Sequence, residues 1–590
     1  MEMRETINRI VHQFGQDPTR LLDMARAVHA SLGCVSDEAT ALLAEALDMP
    51  LVDVSDMVSF YAFLPREPQV PNVIYLCNAV VERMQGADAV ARALERETGT
   101  TFGDRYPSGD IALRYTPCIG LSDQGPSALV NDIPLTGLTP DDVPGLVAAV
   151  RAGDDLTLLP QAQVDNEVRE AGPVIFAPTE RGAAVRKAVT MTPDAIIEEL
   201  NIARLRGRGG AGFPAAMKWD SCRRMHGDVH YVVCNADEGE PGTFKDRVIL
   251  VRKANLLFGG MTVAAFALGA REGILYLRAE YVYLQRHLEQ ELAKRRHLGL
   301  LGNNICGCEG FDFDIRIQVG AGAYICGEES ALIESLEGRR GAPRARPPFP
   351  VQHGYLGMPT LVNNVETFCC AARILTEGGA WFAAMGTRDS TGTKLFSVSG
   401  DCARPGVYEL EYGITVRQLL DHVGAPDAQA VQMGGPSGRC LAPKDYARSI
   451  SFEDVPTGGS VIIFGPDRDL LEYMRQFTEF FAEESCGWCT PCRVGTTLLE
   501  MGLKRILDGE ATASDVEALE TLCKTVKTMS QCGLGQTAGN PILTTLRNFP
   551  ELYANRVRPD NGMTGKNLKQ AEAAGRAAAG RTLEAVEETS

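Results

Sequence analysis

Apolar residues recur every three or four positions through LLDMARAVHASLG and DEATALLAEALDMP, so residues 1–65 are predicted to form a helical lead, with Gly33 as a C-cap and Ser36 or Asp37 capping the next helix. NVIYLCNAV, DIALRYTPC and SALVNDIPL read as strands and ADAVARALERETG as a helix, with Gly- and Asp-bearing turns between them, which makes 66–155 a compact α/β module. The pattern is irregular over 156–190, a linker. Across 191–390, strand-like runs (HYVVCNAD, GILYLRA, DFDIRIQVG) alternate with helical ones (YVYLQRHLEQELAKR, SALIESLEG). This predicts a mostly parallel sheet with helices on its faces, whose ligands bind beyond the carboxyl ends of the strands. TKLFSVSG, GVYELEY, TVRQLLDHVG and SVIIFGP make 391–470 β-rich with one helix. From 471 to 558 the periodicity is helical, predicting a four-helix domain, and the tail 559–590 lacks an apolar stripe, as a solvated helix or disordered segment does.

A chain of 590 residues is too long for one core and divides into several domains. The formal net charge of -18 argues against a nucleic-acid partner, which calls for a basic face. The start MEMRETINRIVHQFGQ is no signal peptide, and no apolar run reaches the length of a membrane span, so a soluble cytoplasmic protein is expected. In that compartment the 17 cysteines are not a disulfide framework. Most, such as Cys34, Cys222, Cys234 and Cys369, sit in apolar settings as small buried hydrophobes; Cys306 and Cys308 read as loop cysteines.

ESCGWCTPCR stands apart. A thioredoxin-type CxxC needs only two cysteines, and a zinc site usually pairs two separated knuckles or adds histidines. Cys486, Cys489 and Cys492 instead form C-x2-C-x2-C, the spacing that wraps three corners of a [4Fe–4S] cube, with Cys532 in MSQCGLGQ as the natural fourth thiolate; zinc is the alternative. Four further stretches carry chemistry. LRGRGGAGFPAAMKW places Gly207, Gly209, Gly210 and Gly212 before a helix, with Arg206, Arg208 and Lys218 adding positive charge, an arrangement that admits a phosphate. It matches neither GxGxxG after a strand nor the P-loop. YVVCNADEGEPGTFKDR sets Asn235, Asp237, Glu238 and Glu240 at the end of an apolar strand, suited to ribose hydroxyls or an isoalloxazine edge. GAGAYICGEESALIESLEGRRGAPRARPPFP repeats a Gly-rich turn before Glu328 and Glu329, followed by Arg346 and Phe349, and LVNNVETF brings Asn363 and Asn364.

From about 190 to 555 these motifs resemble the NADH-binding flavoprotein subunit of respiratory complex I and its relatives, the diaphorase subunits of NAD-reducing hydrogenases and NAD-dependent formate dehydrogenases. The resemblance implies that Gly207, Arg208, Gly209, Gly210, Lys218, Asn235, Asp237, Glu238, Tyr324, Gly327, Glu328, Asn363, Asn364 and Thr367 hold FMN. It also implies that NADH lies over the flavin, with Phe213 and Phe349 near the adenine and Glu240, Glu329 and Arg346 on polar groups. Two positions depart from the pattern: Arg346 stands where a lysine is expected, and Ser221 where relatives carry a second phenylalanine. The family carries the [4Fe–4S] pattern in its helical domain. The N-terminal module resembles the thioredoxin-like small subunit of complex I, which holds a [2Fe–2S] cluster on C-x4-C and C-x3-C. Here Cys77 and Cys118 match the first member of each pair, but Glu82 and Ser122 occupy the second. Carboxylate and hydroxyl are poor ligands for iron–sulfur, so that site is expected to be empty, with a variant cluster on Cys77 and Cys118 as the alternative.

The implied fold class is a multidomain α/β protein: a helical lead with a thioredoxin-like module, a Rossmann-like FMN/NADH domain, a small β-grasp-like domain and a four-helix iron–sulfur domain. The implied activity is hydride exchange between NAD(H) and FMN, with Glu240 positioning the nicotinamide, and single electrons leaving through the cluster to partner subunits. Fusion of the two modules resembles a soluble NAD-reducing hydrogenase most; a formate dehydrogenase subunit, a complex I subunit and a nucleotide-free relay scaffold are the alternatives.

Overall fold

The computed structural model describes residues 2–559 apart from 69, 105, 106 and 108; the predicted tail, past 559, lies outside the described residues. The lead is four helices, Glu2–Gln13, Leu21–Leu32, Asp37–Leu47 and Leu51–Phe60. Gly33 ends the second in the left-handed region (φ 77°), and Ser36 caps the third by accepting from the Ala39 amide at 3.2 Å, as Gly and Ser do at these positions.

The N-terminal module is a sheet of β1 (Asn72–Cys77), β2 (Ile111–Thr116), β3 (Ala128–Val130) and β4 (Ile133–Leu135), in the order β2-β1-β3-β4. SALVNDIPL is a hairpin rather than one strand. Asn131 and Asp132 both take positive φ (48° and 68°), the two-residue turn that such residues favour. The linker also contributes structure, as the short strand β5 (Val168–Glu170).

The central unit is built on β6 (Tyr231–Ala236), β7 (Glu272–Leu277), β8 (Asp314–Val319) and β9 (Thr360–Asn364), all parallel in the order β8-β7-β6-β9. Both faces are covered, which is why these strands are apolar runs without alternation. Val232, Cys234 and Leu275 pack with the helices Ala254–Leu268 and Val365–Glu377. Val233, Ile274 and Tyr276 point the other way and share a core with the lead helices and with Phe481 and Leu534 near the carboxyl end. The lead is therefore part of the central body.

A second sheet joins β10 (Thr393–Gly400), β11 (Gly406–Glu411), β12 (Ala430–Met433), β13 (Arg439–Leu441) and β14 (Ser460–Phe464) to β5, in the order β13-β12-β14-β10-β11-β5, with the helix Val416–Val423 on one face. The carboxyl-terminal unit has more than the four helices predicted. Three long ones (Leu470–Glu483, Thr490–Leu507, Ala513–Met529) precede three short ones (Gly533–Ala538, Asn540–Asn548, Pro550–Ala554). Prolines in the first turns of the last two restart the chain there. Among the described residues no single helix is long and apolar enough to cross a membrane.

The helices Ala254–Leu268 and Val365–Glu377 touch at backbone distance, because a methyl group at Gly260 would overlap the Phe368 carbonyl. Gly260→Ala is expected to destabilise the chain by about 1–3 kcal/mol, read as a lower melting temperature; an unchanged melting temperature contradicts this close packing.

Candidate functional site

The glycine-rich segment folds back on itself. Arg206 bridges Pro214, the Gly207 amide donates to the Phe213 carbonyl at 2.9 Å, and Arg206 Nε donates to the Gly212 carbonyl at 2.7 Å while stacking 4.3 Å over the Phe452 ring. Gly212 must be glycine: its φ is 65° and a Cβ would run into Phe452. The loop leads into the helix Ala215–Arg224, from which Lys218 Nζ donates to Glu329 Oε2 and the Val362 carbonyl, both at 2.7 Å.

The loop forms one wall of a cavity of about 1800 Å³. Gly207, Gly209, Phe213 and Lys218 line it from this side; Asn235 and Asn363 line it from the ends of the parallel strands. Gly327, Glu328 and Glu329 close it opposite, where Arg346 pairs with both glutamates. Phe213 and Phe349 keep 52% and 48% of their surface open, so their rings face the space rather than the core. The cavity extends past the four-arginine segment 339–346 to Thr19 and Asp53 of the lead, and on another side to Trp488 and Cys532. Trp488, 64% exposed within the cysteine loop, had no predicted role; a large aromatic between two candidate ligand cysteines was the signal available.

Several predicted residues are not on the cavity wall. Arg208 turns inward, donating to the Arg206 and Thr391 carbonyls at 2.8 and 2.7 Å, and Gly210 is likewise not part of the wall. Glu238 is buried and accepts from the Asp246 and Arg247 amides (2.8 and 3.1 Å) and the Tyr281 hydroxyl (2.9 Å); burial raises its carboxyl to about 7. Asp237 is half-buried, with Oδ2 shut off from solvent and unpartnered, and desolvation lifts its carboxyl well above the usual range. Glu240, the predicted catalytic group, sits behind the wall. It accepts from the Tyr324 hydroxyl at 2.6 Å and from the Ser437 amide and hydroxyl at 2.8 and 3.0 Å, and burial raises its carboxyl. Asn364 caps the helix Val365–Glu377 by accepting from the Glu366 amide at 3.0 Å, and Thr367 Oγ1 accepts from the Arg208 amide at 2.9 Å.

The cysteine loop lies at the cavity's edge. Cys492 is in the first turn of Thr490–Leu507, and Cys532 immediately precedes Gly533–Ala538. Burial, joined by neighbouring thiols of the set, pushes both thiols up to about 11. Cys486, Cys489, Cys492 and Cys532 lie near enough to act on one another's thiols, and thiols as a class are soft donors that bind metal as thiolates. Among the described residues no group of three or more His, Cys, Asp or Glu is arranged to hold a single ion. Arg340 donates to the Cys486 carbonyl and pairs with Asp56 of the lead at 3.0 Å.

The N-terminal cysteines have a different environment. Cys118 Sγ lies 3.3 Å from Ser122 Oγ, and Cys77 Sγ 3.6 Å from the Pro117 carbonyl. The Glu82 carboxyl is turned to Ser127, accepting from its amide and hydroxyl at 3.1 Å each. Burial raises Glu82 to about 8, so it is a neutral hydrogen-bonded group, and the residues present do not fit a [2Fe–2S] cluster.

A cavity at the carboxyl ends of a parallel sheet, with Cys532 on its wall and a three-cysteine loop at its edge, defines the class of a redox flavoprotein with an iron–sulfur module. Comparison with known proteins bears on this directly. Residues 200–373 match the family model "Nuo51 FMN-binding domain", 472–556 the "NADH-ubiquinone oxidoreductase-F iron-sulfur binding region", and 7–151 the "Thioredoxin-like [2Fe-2S] ferredoxin". The chain is 47% identical over 571 residues to the NAD-reducing hydrogenase HoxS subunit alpha of Cupriavidus necator, covering 94% of this chain and 95% of that one. It is 43% identical over 378 residues to a component of the NADH-quinone oxidoreductase of Rhizobium meliloti (62% and 90%). A crystal structure of NAD+-reducing [NiFe]-hydrogenase in the H2-reduced state superposes with a TM-score of 0.87 at 39% identity, covering 96% of this chain and 98% of that one. The chain belongs to the family of NAD-reducing hydrogenase alpha subunits, which shares its flavoprotein core with the matching components of NADH-quinone oxidoreductases.

Glu82 generates a pH prediction. The unfolded carboxyl loses its proton near its ordinary 4.5 and the folded one near 8, so between these values the folded chain holds the extra proton and stability falls as pH rises, by up to about 1.4 kcal/mol per unit. Glu82→Gln is expected to flatten this part of the melting-temperature profile and to stabilise the protein above pH 8. An identical profile in the variant contradicts a buried neutral Glu82.

Proposed function

We propose that this chain is the NADH-oxidising (diaphorase) subunit of a soluble, cytoplasmic NAD-reducing hydrogenase, exchanging a hydride between NAD(H) and FMN and single electrons with a [4Fe–4S] cluster that leads to iron–sulfur and hydrogenase partners. The observation that carries the reading is the one cavity whose wall includes both the glycine-rich loop and Cys532. When bound, the flavin interconverts two-electron and one-electron transfer and the cluster relays electrons singly.

The chain's residues bind and orient. Gly207 and Gly209 let main chain approach the flavin nucleotide, Lys218 supplies a cation, and Asn235, Gly327, Glu328 and Asn363 border the ring. Phe213 and Phe349 offer faces to the adenine. Glu329 favours ribose hydroxyls over a 2′-phosphate, hence NAD. Glu240 acts through Tyr324, whose hydroxyl it fixes, and is a positioning residue in this reading. Cys486, Cys489, Cys492 and Cys532 are the cluster thiolates; a set not drawn in on one ion is compatible with ligands spread around a polynuclear core. Cys77 and Cys118 hold no cluster in this reading, because Glu82 and Ser122 stand where two thiolates would be needed and Glu82 is engaged by Ser127 and the Cys77 thiol. The units proposed are the lead (1–65), a thioredoxin-like module (66–155), a linker (156–190), a Rossmann-like flavin domain (191–390), a β-grasp-like domain (391–470) and the iron–sulfur helices (471–558).

Chemical analysis of the purified chain should give one flavin and about four irons. About six irons overturns the empty N-terminal site, and absence of flavin overturns the reading as a whole. Glu240→Gln should keep its flavin and melting temperature while kcat/KM for NADH with an artificial acceptor drops by about tenfold or more, the scale of a misplaced reactant. Full activity in that variant removes Glu240 from the account.

A further inference from the structure

Cys306 and Cys308 take no part in the flavin cavity or the cluster loop. They flank Gly307 at the tip of the segment joining the helix Gln285–His297 to β8, where Asn303, Asn304, Glu309 and Gly310 are exposed and both cysteines are half-buried. The tip is a tight turn: the Cys308 amide donates to the Ile305 carbonyl at 3.0 Å, and the Cys306 amide donates to the Gly299 carbonyl at 2.9 Å. Cys306 and Gly307, at its centre, both have positive φ (54° and 77°), as a type I′ turn requires. Glycine, asparagine or aspartate suits the first of those positions. A cysteine there is strained, and a strained residue kept in a surface turn points to use rather than to packing.

The second observation is Arg295, from the last turn of the preceding helix, which is wholly buried. Its Nη1 donates to the carbonyl and to Oδ1 of Asn255 at 3.2 and 2.7 Å, while Nε and Nη2 have no partner. Glu291, a carboxylate that acts on it, is engaged by Arg181 and Lys294. Burial, joined by Arg181, lowers the Arg295 guanidinium to about 10, and Cys306 works against that shift. Burial in turn raises the Cys306 thiol, opposed by Arg186 and Arg295, and Cys308 lies near enough to act on it as well. A buried cation left short of partners beside a half-buried thiol favours the anion of that thiol.

We infer that Cys306 and Cys308 form a redox-active dithiol, a site of reversible modification that closes to a disulfide by exchange with small organic disulfides. The turn already sets the spacing: residues two apart span at most about 7 Å, and a disulfide joins Cα atoms about 4–7 Å apart. Cys306, beside the two guanidinium groups, is the attacking thiolate. It attacks one sulfur of the incoming disulfide and releases a first thiol; Cys308 then gives up its proton, attacks the Cys306 sulfur of the mixed disulfide and releases a second. The oxidant gains the two electrons that the pair loses, and the two protein protons end on the two released thiols.

The test treats the full chain anaerobically with bis(hydroxyethyl) disulfide, caps free thiols with iodoacetamide and weighs the tryptic peptide 297–316, whose only cysteines are these two. In the wild-type chain the peptide is expected to lose two hydrogens and take no alkyl group, and prior treatment with dithiothreitol should restore two alkylated cysteines. In Cys308→Ser the exchange should stop at a hydroxyethylthio group on Cys306, formed about tenfold faster than the same adduct on Cys308 in Cys306→Ser. A wild-type peptide with two alkylated cysteines after oxidant, or with adducts and no internal link, overturns the dithiol. Equal or faster modification of Cys308 in Cys306→Ser overturns the attacking role given to Cys306 and, with it, the part played by Arg295.

Discussion

The structure depends on one buried carboxylate. Glu366, wholly excluded from solvent, pairs with Lys394 of the second sheet and with Lys245 beside the parallel sheet, and its surroundings hold it below the ordinary carboxylate range despite burial. Charges buried this way cannot be separated one at a time without leaving an uncompensated ion in a low dielectric. The two sheets are thus fixed in one relative position. The Leu395 amide donating to Glu366 Oε1 at 2.9 Å reinforces that register. The glycine-rich loop hangs from the same point, through Lys394 on the Arg208 carbonyl and Thr367 on the Arg208 amide, so the cavity wall inherits its position from an ion pair behind it.

Outside that point the chain is joined by shared cores. Lead residues such as Leu22 and Val58 lie in one apolar cluster with Val233 of the parallel sheet and with Phe481, Cys492 and Cys532 of the helical unit. Val80, Val81 and Met84 of the N-terminal module lie in another with Met474 and Leu499. Polar links cross the same seams: Asp56 to Arg340 to the Cys486 carbonyl, and Glu484 Oε2 accepting from the Tyr324 amide at 2.9 Å. The cysteine loop is held against the nucleotide cavity by rigid elements on three sides, which suits a site where small displacements change transfer rates. The N-terminal module is tied to this body by polar links as well as packing: Asp123 pairs with buried Arg247 at 3.1 Å, and Arg278 donates to the Cys118 carbonyl at 2.7 Å.

Much of this was legible in the sequence because local physics decides it. Helical periodicity gave the lead, apolar runs gave the parallel strands, and glycine density marked the loop. Facing was harder to read. Arg208 sits in a glycine loop and looks like a phosphate ligand, yet its guanidinium turns inward to Thr391, 183 residues away in the chain. Glu240 follows a strand end as a ligand should, yet faces Tyr324 and Ser437. Both orientations are set by partners from distant segments, which no local pattern records. The strand β5 escaped notice for the same reason: its pairing partner β11 lies far along the chain. Lys394, in an ordinary-looking strand, gave no sign of burial until the sheet placed Glu366 against it.

The central claim is that one chain joins a flavin to a single iron–sulfur cluster. Anaerobic titration of the purified protein with NADH, followed by visible absorption and electron paramagnetic resonance, tests it most directly. The account predicts bleaching of a flavin band together with one cluster signal of the [4Fe–4S] type. A second signal of the [2Fe–2S] type, or cluster reduction with no flavin to bleach, contradicts it.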